Sequence, residues 1–395
     1  MLINVNFHFA VFILIITSLT VEVSLSILNL AKIEGTLSAP REKQVAAERT
    51  WRGMAGITLN TAAFMIAFAM PPFAPVPWDF TLSLAVALCL RVLAGIGIAW
   101  LGSLFAAAAP PASALLARVR TELLTVVPPA LCAALIAGDR LLPWKWAGVI
   151  GWALFCVWRE TSRSTGNLRS EDIPAAFAEM IGRTGLKGIT IGVRVDAASA
   201  DRPNARAEGI GPYHRIVIDK GLIDGLPIPQ STAVIAHESG HIAHRHREKF
   251  LALRIIEGWL ALAVGSRLGM DGIGVGLLIL ALPNLALLIH PLEAALVRGW
   301  EFQADRYAAR HVPPLALKAA LERIFALHAA PMGPFPLYDL FHSFHPAPGE
   351  RLRRLSQMGW KPALTASGPK GAPPARWPNR PGPSPDRQPI LPRGR

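Results

Sequence analysis

Residues 231–247 read STAVIAHESGHIAHRHR, and within them His237, Glu238 and His241 have the types and spacing of a hydrolytic metal site. On a helix, residues four apart share a face. His237 and His241 can therefore present two imidazoles to a single Zn²⁺ at about 2.0–2.1 Å. Glu238, the next residue round, can reach a water in the coordination position that the protein leaves open and act there as general base. Ser231 is a fitting N-cap for this helix, and Gly240 allows another backbone to come close. A helix that merely happens to be rich in histidine would show no third ligand downstream.

A third ligand is available in Trp300 to Tyr307, WEFQADRY, where Glu301 and Asp305 also stand four apart. Glu301 supplies a hard oxygen, giving the two-His, one-Glu set of a catalytic zinc centre with one Zn²⁺ per chain. Asp305, one turn on, can accept a hydrogen bond from a ligand imidazole and fix its tautomer. Alone, such a pair would be an ordinary solvated helix face. Beside HExxH it becomes the second half of a site.

HESGH, a two-span apolar hairpin and then EFQAD together resemble the membrane zinc metallopeptidase family that includes the CAAX prenyl protease and the HtpX heat-shock protease. Asn204, Ala205 and Gly209 in NARAEG resemble that family's NAxxxG strand, IVIDKGLID its following strand and turn, and His246 occupies a position where a further His is frequent. In HSFHPAPGERLRRL, His345, Pro346 and Arg351 resemble a late HP…R element, although Phe344 stands where Ser or Thr usually precedes the HP. The likeness runs from about Ile189 to Leu355. It implies that Asn204 lies on an edge strand that pairs with the substrate backbone, and that His345 and Arg351 stabilise a tetrahedral oxyanion. Both roles are physically sensible, since strand addition binds peptides with little sequence preference and cationic donors favour developing negative charge. On residue type alone, a His and an Arg near prolines equally suit a structural loop.

The elements that must carry these residues are mostly apolar helices. Runs at Phe7 to Leu25, Met54 to Met70, Phe80 to Ala108, Leu123 to Ala137 and Trp144 to Trp158 suggest five spans, and Leu251 to Leu268 with Gly274 to Ile289 suggest a two-span hairpin. Glu22, near the end of the first run, must sit at the interface or face protein. Arg91, within the third, costs about 2.5–3.5 kcal/mol on insertion scales and must face protein or a watered cavity, with Glu22 as one available partner. The expected division is therefore 1–160 a five-span membrane region, 161–250 the first catalytic part with the HExxH helix, 251–290 the hairpin, 291–360 the second catalytic part, and 361–395 a Pro-rich, basic, disordered tail. Strand-like alternation at Ile189 to Val195 and Arg215 to Ile218 makes the catalytic part a small α+β domain of zincin type, in a mainly α protein of about seven spans.

Charge orients the whole. Lys32, Arg41, Lys43, Arg49 and Arg52 follow the first span, Pro71 to Asp79 carries no basic residue, Arg118 and Arg120 come next, and Arg159, Arg163 and Arg169 follow the fifth span. Alternate loops are basic, with the loop at Arg140 and Lys145 a mild break in the pattern, which places the catalytic lobe on the cytoplasmic side; the expected location is a bacterial inner membrane. Across 395 residues, 52% are hydrophobic and 17% charged, with a net charge of +13, a balance that excludes a disordered chain. Cys89, Cys132 and Cys156 all fall in apolar stretches and offer no disulfide framework. The expected partners are a protein or peptide substrate and the lipid bilayer, with no nucleic acid. The expected function is an integral membrane zinc endopeptidase. The alternative from another class is a non-catalytic membrane scaffold with a structural zinc, which would not need Glu238 beside its ligands.

Overall fold

The computed structural model describes residues 2–36, 40–69, 142–162, 168–169, 173–195, 204–267, 272–328 and 330–359, with scattered residues between 89 and 132. Arg91, most of the third and fourth apolar runs, and the tail lie outside the described residues.

The described fold is mainly helical with one small sheet. The first two helices, α1 (Leu2–Thr36) and α2 (Pro40–Ala69), pack on each other, and α3 (Leu142–Ser162) packs on the first arm of the hairpin. Val11–Gly35 of α1 is, among the described residues, the one helix long and apolar enough to cross a bilayer, with a mean hydropathy of 2.3. The count of seven spans is not reproduced among the described residues. Two of the seven runs fall largely outside those residues. On α3, Trp146, Ile150, Leu154 and Trp158 recur every four residues and are all exposed, an outward apolar stripe with a Trp at each end.

The catalytic region begins with β1 (Leu168–Arg169), α4 (Ala175–Thr184), β2 (Thr190–Arg194), β3 (Ala205–Glu208) and β4 (Arg215–Asp219). The sheet order is β1-β2-β4-β3, with β2 and β4 parallel and the outer strands antiparallel to their neighbours. β3 is thus an edge strand, and its turn to β4 depends on Gly209. At φ 82° that residue is left-handed, and a Cβ there would stand 2.0 Å from Tyr213 O.

A short helix α5 (Lys220–Gly225) leads into α6 (Ile228–Ala243), which carries HExxH and packs against β3, α4 and two later helices. α6 starts earlier than its sequence suggests. Pro227 is the N-cap, while Ser231 lies inside the helix with its hydroxyl donating to Ile228 O at 3.1 Å. At the other end, Arg245 takes φ 53°, the one non-glycine positive φ among the described residues, and the chain turns into α7 (His246–Arg267).

The return arm differs from its expectation. The expected span Gly274 to Ile289 is part of one continuous helix, α8 (Gly272–His311), which runs on past Glu301 and is roughly 60 Å long at 1.5 Å per residue. Pro283 and Pro291 each remove one intrahelical hydrogen bond without ending it, because α1, α2 and α6 pack along its length and hold the turns on either side. α9 (Pro314–Leu327), α10 (Pro336–His342) and α11 (Pro348–Gln357) complete the lobe, α9 and α11 packing on each other.

Candidate active site

Gly240 decides how closely the two halves of the site approach. A Cβ there would lie 2.9 Å from Ala304 Cα and 3.1 Å from Ala304 O, so only glycine lets α8 cross α6 at this distance. The crossing brings EFQAD against HESGH. His237 Nε2 and His241 Nε2 are 3.1 Å apart, and the Glu301 carboxylate oxygens lie 3.5 Å from each of them. Donor atoms held tetrahedrally at about 2.0–2.1 Å from one ion stand about 3.3 Å apart. The triangle therefore fits a single zinc. Glu301 Oε2 is buried, with only the longer contacts of Arg351 Nη1 at 3.3 Å and His237 Nε2 at 3.5 Å, which leaves it open to a metal ion.

Each imidazole is oriented from behind. His237 Nδ1 lies 3.0 Å from Asp305 Oδ1, and Asp305 is gripped at both oxygens by Arg351, Nε at 2.8 Å and Nη2 at 2.7 Å. His241 Nδ1 lies 3.0 Å from His246 Nδ1, and His246 Nε2 lies 3.0 Å from Gln303 Oε1. With Gln303 Oε1 accepting from His246 Nε2, His246 Nδ1 becomes the acceptor for His241, and the His241 Nε2 lone pair faces the triangle. The His246 ring is buried and stacks on Trp300, 5.6 Å between centroids at 12°. The left-handed Arg245 makes this possible by folding α7 back on the end of α6. Gln303 and Trp300 are functional positions that residue spacing did not single out. Their visible signal is membership of the WEFQAD run itself.

Burial would raise the Asp305 carboxyl, but the Arg351 charge outweighs it and holds the group at about 2. Burial opposes ionisation of Glu301 too, and Arg351, with the hydrogen bonds of His237 and His345, keeps it well below the carboxylate range. For His237, burial and Arg351 favour the neutral ring, yet hydrogen bonds to Asp305 and Glu301 prevail and raise it to about 9. Burial, then the His237 charge, lowers His241 to about 3, and burial lowers His246 to about 4. Burial pushes Glu238 above its usual range.

Glu238 Oε2 accepts the Ala207 N–H of β3 at 2.7 Å, tying the HExxH helix to the edge strand. The Ala205 N–H is taken by Asn204 Oδ1 at 2.9 Å, and Asn204 itself is fixed to β4 by Asp219, whose N–H donates to Asn204 O at 2.8 Å. Asn204 is thus at the head of the edge strand, with its own amide oxygen turned along that strand. His345 Nδ1 lies 3.0 Å from Glu301 Oε1 while the side chain remains 71% exposed. Arg351 is buried, its Nη1 3.3 Å from Glu301 Oε2. All eight residues singled out by sequence, Asn204, His237, Glu238, His241, Glu301, Asp305, His345 and Arg351, meet at one place except that Asp305 stands one layer behind, its carboxylate on His237 and Arg351. The place is a cavity of about 900 Å³, also lined by Asn29 of α1, Thr50 of α2 and Phe325 of α9.

A helix carrying HExxH, a glutamate from a second helix completing the donor triangle, and an edge strand hydrogen-bonded to the HExxH glutamate define a metallopeptidase site of zincin type. Residues 167–359 match the model of peptidase family M48. Among relatives, a protease HtpX homolog of Acidiphilium cryptum is 32% identical over 166 residues, covering 38% of this chain and 57% of that protein. A protease HtpX homolog of Salinibacter ruber is 31% identical over 184 residues, covering 40% of this chain and 65% of that protein. The chain thus spans less than two thirds of the length of these relatives. The crystal structure of S. mikatae Ste24p superimposes with a TM-score of 0.70 at 18% identity, covering 88% of this chain and 99% of that one. A likeness of that extent takes in helices before residue 167 and shows a shared fold.

Proposed function

We propose that the chain is an integral membrane zinc endopeptidase of about seven spans, with its catalytic lobe on the cytoplasmic side of a bacterial inner membrane and protein or peptide segments near that membrane as substrates. The observation that carries this reading is the donor triangle of His237, His241 and Glu301, at 3.1–3.5 Å, with a non-ligand carboxylate, Glu238, beside it in a cavity. The exposed stripe on α3 and the apolar α1 support immersion in lipid. A structural zinc in a scaffold would need neither the cavity nor Glu238.

Bound by these three residues, zinc would polarise a scissile carbonyl and lower the pKa of a coordinated water from 15.7 toward about 7. The rest falls to the chain. The edge strand β3 aligns an extended peptide, the Ala205 and Ala207 N–H groups becoming available as Asn204 and Glu238 turn to substrate and water. Glu238 takes a proton from the attacking water and returns it to the leaving nitrogen, and its raised pKa makes it a better base than a free carboxylate. His345, open to the cavity, donates to the developing oxyanion, and Arg351 adds positive charge from behind Glu301 while locking Asp305 and through it the His237 tautomer.

Glu238→Gln should bind close to one zinc per chain and cleave no peptide, because the residue moves protons and ligates nothing. Turnover at the unsubstituted rate in the purified variant would rule out this role.

A further inference from the structure

We propose that Glu22 on α1 is a positioning residue for His345, acting through His342 and α10. The proposal rests on the peptidase reading above, in which His345 meets the oxyanion.

At 35 residues α1 is about 52 Å long, well beyond a hydrocarbon core of roughly 30 Å. Its surplus length forms a wall of the lobe. Three side chains of α1 hold the segment that leads to His345. Lys32 Nζ donates to Pro334 O at 3.2 Å, Asn29 Oδ1 accepts the Phe335 N–H at 3.1 Å, and Glu22 Oε2 lies 2.9 Å from His342 Nε2. The carboxylate is fully buried, with Ser26 Oγ donating to its other oxygen at 3.0 Å. α2 makes room for it at Gly53, where a Cβ would stand 3.3 Å from Glu22 Oε1. Tyr338 stacks on the His342 ring, 4.1 Å between centroids.

From the other side, Arg298 on α8, one turn before Glu301, donates to the carbonyls of Asp339 and Ser343. Ser343 Oγ then donates to His345 O at 2.8 Å. The backbone from Asp339 to His345 is therefore clamped between the helix that carries Glu301 and the apolar anchor helix. With the Glu22 contact gone, α1 still holds Pro334 and Phe335, but the stretch from His342 to His345 loses its tie to α1 and keeps Arg298, so His345 is less firmly set on its line to the metal centre. A fully buried carboxylate in an apolar helix is costly, and an apolar side chain would pack there at less expense if packing were its only task. Glu22 touches none of the donor triangle, so its effect on catalysis must pass through His342.

The test uses the full-length chain in detergent, loaded with zinc, and a mixed-sequence library of internally quenched peptides. His345→Ala should lower kcat by about a hundredfold or more, as loss of an oxyanion donor does. Glu22→Gln should lower kcat by about tenfold, the scale of a misplaced group, with KM and zinc content unchanged. Added to His345→Ala, Glu22→Gln should cost nothing more, because its route ends at that imidazole. An undiminished kcat in Glu22→Gln, or a tenfold loss that persists in the His345→Ala background, overturns the proposal and leaves the peptidase reading standing. If Glu22→Gln fails to hold zinc, Ser26→Ala carries the test: a severalfold loss that vanishes beside His345→Ala supports it, and no loss overturns it. A wild-type chain that holds zinc and cleaves nothing removes the peptidase reading and this proposal with it.

Discussion

Glu301 and His237 make different demands on a metal, and each can be measured. Two imidazoles alone leave too few protein ligands, so Glu301→Ala should lose its zinc. Elemental analysis of the purified variant showing close to one zinc per chain would mean that a different side chain completes the set. His237 is raised to about 9 in the metal-free protein, burial and Arg351 being outweighed by Asp305 and Glu301. A raised histidine keeps its proton below that pH, and zinc must displace it, so affinity should climb as pH rises from 7 toward 9. At pH 7, binding should release about one proton per zinc. Calorimetry in buffers of different ionisation enthalpy counts that proton, and a count of zero would show His237 already neutral. The pairing of the candidate donors was legible in the sequence because helical spacing alone puts His237 with His241 and Glu301 with Asp305. His246 was marked only by family likeness, and its place behind His241 was not readable from spacing, since five residues separate them across a helix end where Arg245 adopts φ 53°.

The helices show where pattern reading stops. Apolar runs located α1, α3 and both arms of the hairpin, but the return arm continues well past its expected end at Ile289, to His311. Tertiary packing along α8 carries the helix past Pro283 and Pro291 to Glu301. The edge position of β3 could be suspected only from family likeness, because a four-residue strand carries no partner information in its own alternation. One helix-level consequence follows from Gly240. In Gly240→Ala the new methyl would meet the α8 backbone at Ala304, and α8 has no flexible side chain there to give way. The variant should lose about 1–3 kcal/mol of stability and bind zinc more weakly, because the spacing of α6 and α8 sets the donor triangle. Unchanged melting temperature and zinc affinity would show that α8 can shift without disturbing its ligands.

At the scale of the whole molecule, the site sits where the anchor helices meet the lobe, since one cavity is lined by His237 and Glu238 on one side and by Asn29 and Thr50 on the other. That arrangement ties chemistry to topology. Glu301 and the two histidines lie on either side of the hairpin in sequence, so the hairpin must cross the bilayer an even number of times for the triangle to form. If basic residues after alternate apolar runs orient the chain as proposed, the lobe is cytoplasmic and the stretch about Asp271 lies on the opposite side. In a background lacking Cys89, Cys132 and Cys156, cysteines placed at Ser170 and at Ser384 should both resist a membrane-impermeant thiol reagent in intact cells, while one at Asp271 should react. Labelling of the first two with protection of the third would reverse the orientation and leave the site intact. Labelling of Ser170 and Ser384 on opposite sides would put an odd number of crossings between them, and no single zinc could then be shared by both halves of the chain.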